Sequence, residues 1–110
     1  MTNNDFIQVA KKSEIPDPGS TLAEVNERLV VVFHIDGQFY ALDDVCTHDG
    51  GPLSDGTVAR DHTIACPRHG AKFDVRSGAA LTMPATQATV SHEVRLDGDD
   101  VMVRIRENDE

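Results

Sequence analysis

At 110 residues the chain has room for one ordinary domain, enough for a hydrophobic core but not for that core plus a separate catalytic domain. Hydrophobic residues make up 39% of it, tryptophan is absent and no apolar run nears the roughly 20 residues of a membrane helix, so a soluble protein is expected. Nineteen acidic residues against ten basic ones give a formal charge of −9; this argues against a nucleic-acid or anionic-membrane surface and favours a basic protein partner, although acidity also simply keeps small domains in solution.

Met1 to Lys12 places Asp5 ahead of its lysines and lacks a long apolar stretch, so no secretory signal is read there and an intracellular, cytoplasmic setting is expected. Phe6 to Val9 reads as a first strand. Pro16, Pro18 and Gly19 mark a turn or extended link, and Leu22 to Arg28 is the one segment that passes for a short helix. Arg28 to Ile35 is dense in β-branched residues, Asp36-Gly37 is a two-residue hairpin signal, and Gln38 to Leu42 resumes the extended pattern, so a buried hairpin leads towards Cys46. Thr57 to Arg60 and Thr63 to Cys66 form a short pair around Asp61-His62. Val90, His92, Val94 and Leu96 alternate with polar residues, Asp97-Gly98-Asp99-Asp100 turns, and Val101, Val103 and Ile105 alternate again, giving a second, half-exposed hairpin. Glu107 to Glu110 reads as a frayed acidic tail. The whole is an all-β sandwich or barrel.

Both cysteines of the chain take part in one pattern, Cys46-x-His48 and Cys66-x-x-His69. In a reducing compartment two cysteines suit a metal or a catalytic role better than a disulfide. Thiolate and imidazole are ligands for first-row transition metals, which leaves a mixed Cys/His iron–sulfur cluster or a structural zinc ion. Zinc sites usually run C-x₂₋₄-C then H-x₃₋₅-H, a cadence absent here. Each Cys–His pair follows a strand end, and residues two or three apart in a turning segment can converge on one side. Gly50, Gly51 and Gly70 let backbone N–H groups approach inorganic sulfide, while Pro52 and Pro67 stiffen the loops. His34, His62 and His92 lie in separate segments with no ligand spacing and are left out of the site. Arg68, Lys72 and Arg76 are as readily solvent-exposed bystanders as partner contacts, and Asp49 is read as lying in water.

These residues resemble the Rieske-type [2Fe–2S] proteins, whose signature is C-x-H followed, after fifteen to twenty residues, by C-x-x-H. Cys46-Thr-His48-Asp-Gly-Gly and Cys66-Pro-Arg-His69-Gly carry the resemblance, and Gly56, the Gly70-to-Asp74 run, Gly78, Pro84-Ala85 and the Gly98-to-Val101 turn extend it over nearly the whole chain. It implies one [2Fe–2S] cluster, with Cys46 and Cys66 on one iron and His48 and His69 on the other, the histidine iron facing outward. It also implies a single domain over residues 1–110 with a cluster-binding subdomain at about 45–85 built from two loops, and Pro84 in a third loop packed against the cluster. Family members of the respiratory complexes add a disulfide across the cluster at positions that here are Gly51 and Arg68, and a serine hydroxyl where this chain has Ala71. Fewer hydrogen bonds to sulfur stabilise the added electron less, so the low-potential branch is expected.

The resemblance then implies a one-electron carrier, not an enzyme, that takes electrons from a flavoprotein ferredoxin reductase and gives them to a terminal oxygenase. An oxygenase itself would need a further domain with its own iron site, for which the chain has no room. The other readings are a Rieske subunit of a different redox enzyme, such as the small subunit of a nitrite reductase, and a structural zinc-binding module.

Overall fold

The computed structural model describes residues 6–44, 52–66, 70–82 and 89–105. Among these residues nine strands run in chain order: β1 (Ile7–Lys11), β2 (Gly19–Val25), β3 (Arg28–Ile35), β4 (Gln38–Asp43), β5 (Thr57–Ala59), β6 (Thr63–Ala65), β7 (Lys72–Asp74), β8 (Ser91–Asp97) and β9 (Asp100–Arg104). Six form one antiparallel sheet in the order β1-β9-β8-β4-β3-β2, and β5-β6-β7 form a second. The larger sheet curls until its outer strands β1 and β2 approach each other, giving a nearly closed barrel. The all-β expectation holds.

The run Val30-Val-Val-Phe33 shows no alternation because β3 is covered on both faces, the condition under which strands become continuously apolar. Val30 and Val32 pack inside the barrel with Val25, Ala41, Val101 and Val103. Val31, Phe33 and Ile35 point the other way and pack with Leu53, Ile64, Phe73 and Val75 of the small sheet and its flanks. Each such fully buried large side chain contributes about 1.5–3 kcal/mol, so this second cluster is what holds the two sheets together.

In place of the short helix expected at Leu22 to Arg28 stand the end of β2, a two-residue turn and the first residue of β3. Gly19 to Val25 pairs residue for residue with His34 back to Arg28, and the chain reverses through Asn26 and Glu27 at φ 52° and 66°. The reason is non-local: a buried strand needs partners for its backbone groups on both edges, and β4 satisfies only one edge of β3. Asp36 and Gly37 sit at φ 53° and 79°, the left-handed pair that a two-residue hairpin requires. Strand β7 was not expected, since three residues with one buried side chain, Phe73, leave no readable alternation.

Polar contacts fix the small sheet at its far end. Arg60, in the β5–β6 turn, donates to Asp36 Oδ1 (2.9 Å) and to the Asp17 carbonyl (3.4 Å). Asp17 in turn accepts the N–H groups of Asp36 (2.8 Å) and Gly37 (2.9 Å). Those hydrogen bonds, the Asp36 N–H first, hold the Asp17 carboxyl below its usual range. No helix among the described residues is long and apolar enough to cross a membrane. The acidic tail at 107–110 lies outside the described residues.

Candidate metal centre

Of the four residues expected to hold a metal, Cys66 is placed, while Cys46, His48 and His69 lie outside the described residues, as do Gly50, Gly51, Arg68 and Pro84. Cys66 leaves strand β6 as a buried free thiol, 1% exposed, in the cluster with Ile64, Ala71 and Phe73. Its N–H donates to the Ala71 carbonyl (2.7 Å), and its carbonyl accepts the Gly70 N–H (2.8 Å). The residues on either side of 67–69 are therefore tied directly to each other. Gly70 itself sits at φ 72°, where a β-carbon is disfavoured. The Gly70 N–H is used by the Cys66 carbonyl, and position 70 needs a glycine for its backbone angle.

The other two loop regions are bracketed in the same way. Before residues 45–51, Asp44 is buried and its carboxylate accepts the Ser54 N–H (2.7 Å) and hydroxyl (3.2 Å). Residues 83–88 are held on one side by the Lys72 N–H donating to Thr82 Oγ1 (2.9 Å) and the Leu81 N–H donating to the Lys72 carbonyl (2.8 Å). On the other side the Thr89 N–H donates to Gly78 (2.8 Å) and the Asp43 N–H to Val90 (2.8 Å). Hydrogen bonds thus connect the flanks of the third loop to those of the first and the second. Asp44, Ser54 and Thr82 were not singled out from the sequence: Asp44 stands two residues before Cys46, but nothing local names Ser54 as its partner.

Ala71 is fully buried, its methyl in the apolar cluster, so position 71 supplies no side-chain donor. The three histidines set aside have other partners. His34 donates from Nδ1 to the Ile15 carbonyl (2.8 Å) and stacks on Phe39 (4.1 Å). His62 meets Tyr40 edge-on, and His92 Nε2 lies 2.7 Å from Asp43 Oδ1. Arg76 is bound to Asp74 through Nε and Nη2, both at 3.1 Å, which holds the Asp74 carboxyl below its usual range; Lys72 is exposed.

A dry thiol at a strand end, a glycine at positive φ four residues on and two Cys–His pairs make a donor set that fits a mixed-ligand iron–sulfur cluster. Residues 5–105 match the Rieske [2Fe–2S] domain. The chain belongs to the Rieske family. A Rieske domain carries one [2Fe–2S] cluster and transfers electrons. This one is 32% identical over 95 residues to the 3-phenylpropionate/cinnamic acid dioxygenase ferredoxin subunit of Escherichia coli K12, spanning 86% of the chain and 89% of that protein. Its fold matches the ferredoxin of carbazole 1,9a-dioxygenase from Nocardioides aromaticivorans IC177 with a TM-score of 0.88 at 26% identity, covering 92% of this chain and 98% of that one. A chain in the complex of reduced oxygenase and oxidized ferredoxin of carbazole 1,9a-dioxygenase matches with a TM-score of 0.87 at 29% identity, over 98% and 100% of the two chains. The sequence-based identification of the family and its cofactor is borne out.

Proposed function

We propose that this Rieske protein is the cytoplasmic ferredoxin of a ring-hydroxylating oxygenase system, a one-electron carrier between a flavoprotein ferredoxin reductase and a terminal oxygenase. The observation that carries this reading is the near end-to-end match to dioxygenase ferredoxins. Cys46 and Cys66 would hold one iron and His48 and His69 the other. Residues of about 45–85, including β5 to β7, form the cluster-binding subdomain of a single domain over residues 1–110.

When bound, the cluster supplies a one-electron couple at the histidine side. The protein's part is to keep the thiol of Cys66 dry, to close the loops on themselves and to fix them to a doubly packed sheet, so that little rearranges when charge arrives. The absence of a hydroxyl at Ala71 supports membership of the low-potential branch. The acidic body would steer towards basic docking patches on its partners.

The test is electron paramagnetic resonance of the reduced protein. The Rieske signal is expected in the wild type and lost in His48→Ala and His69→Ala; a colourless zinc protein, or a signal that survives both substitutions, would overturn the reading. With purified reductase and oxygenase, electron transfer should slow as ionic strength rises.

A further inference from the structure

Asp43 ends β4 and Asp44 follows it, and their carboxylates have different partners. Asp43 sits beside His92 Nε2 (2.7 Å) and Arg28 Nη1 (3.6 Å), cationic or potentially cationic groups. Asp44 is 8% exposed and among the described residues accepts only from Ser54, a neutral donor, through both oxygens. Its own N–H donates to the Leu29 carbonyl (3.1 Å), so it is tied to β3 behind and to Ser54 ahead. Ser54 is itself fixed. It lies in the short 3₁₀ turn Leu53–Asp55, with Leu53 fully buried and the Gly56 N–H closing onto the Leu53 carbonyl (2.8 Å).

The stretch between these two residues contains Cys46 and His48. We infer that Asp44 is a positioning residue for the first ligand loop, clasping it shut through Ser54, and that its buried charge lowers the reduction potential of the cluster that loop holds. The inference rests on the ligand reading above. Closing a loop at its ends removes part of its conformational freedom before any ligand is engaged, so the ligands would meet the metal at a lower entropic cost. Two residues span at most about 7 Å, which places Asp44 close enough to Cys46 for its charge to oppose an added electron. The Asp43 charge is offset by His92 and Arg28; that of Asp44 is not offset by any cation among the described residues.

The test compares the cluster-loaded wild type with Asp44→Asn, Asp44→Ala and Ser54→Ala. Asn keeps an oxygen for the Ser54 N–H but no charge, so its paramagnetic g-values should stay wild-type while its midpoint potential rises. Ala loses both functions and should release iron to a chelator about tenfold faster than the wild type, the scale on which partners that orient ligands act. Ser54→Ala keeps the N–H and should fall between wild type and Asp44→Ala in release rate. An unchanged potential in Asp44→Asn, or wild-type iron release in Asp44→Ala, would overturn the inference. Should Asp44→Ala fail to fold, release from Ser54→Ala at the wild-type rate overturns it instead. A wild type without the Rieske signal is a separate outcome, which removes the ligand reading and this inference with it.

Discussion

His92 Nε2, fully buried, lies 2.7 Å from Asp43 Oδ1, joining β8 to the last residue of β4, three positions before Cys46. The contact lies where the strand leading to residues 45–51 meets the strand that follows residues 83–88. It therefore couples the barrel's packing to the base of the loops proposed to bind the cluster.

Removing one side of that contact should be costly. His92→Leu leaves an acceptor of Asp43 without its partner, at about 1–3 kcal/mol, whereas Asp43→Asn retains an oxygen facing the ring and should lose less. Urea unfolding of both variants measures this; equal stability for His92→Leu and the wild type would show that the pair does not support the fold.

Glycines that look alike in the sequence should respond differently. A β-carbon at Gly78 would sit 2.1 Å from the Thr89 carbonyl oxygen, at φ 82°, while at Gly98 (φ 62°) it meets nothing within 4 Å. Gly98→Ala should cost only the left-handed backbone, about 1–2 kcal/mol. Gly78→Ala adds a backbone overlap, for a total of about 2–5 kcal/mol. The difference between the two urea midpoints checks the claim.

Acid should weaken the end of the molecule where the two sheets are tied together. The N–H of Asp36 above all, with that of Gly37, lowers the folded-state pKa of Asp17, so the unfolded chain binds more protons in acid. The stability from this group is full above the ordinary carboxylate range near 3.9 and is lost as pH falls through the depressed folded value. Asp17→Asn should therefore flatten the stability profile below about pH 4 relative to the wild type, as measured by denaturant melts at several pH values.

Ala71→Ser should raise the midpoint potential. The hydroxyl would supply one donor beside Cys66, worth about 0.5–1.5 kcal/mol, or about 20–65 mV for one electron. Spectroelectrochemical titration gives the value, and a potential equal to or below the wild type's would show that the hydroxyl does not reach the cluster.

Much of the fold is legible because its signals are local. The β3–β4 and β8–β9 hairpins follow from alternation or β-branched runs on either side of Asp36-Gly37 and Gly98-Asp99, turn residues suited to their backbone angles. Gly19–Val25 carries no such signal; it becomes a strand because β3 has an unpaired edge, and Glu27 at positive φ is a turn residue that composition does not announce. β7 and the buried role of Phe73 depend in the same way on a partner sheet.

The types of residue, their number and their spacing are properties of the covalent chain, so the Cys46-x-His48 and Cys66-x-x-His69 pattern and the Rieske family it points to could be read from the sequence alone. Tertiary structure alone decided that β3 is buried on both faces, that Gly70 serves its turn through its backbone angle, that Gly78 has no room for a side chain, and that Asp44 meets Ser54 across the first loop. Pairing and packing energies belong to residues far apart in the chain, and no window of sequence contains both partners.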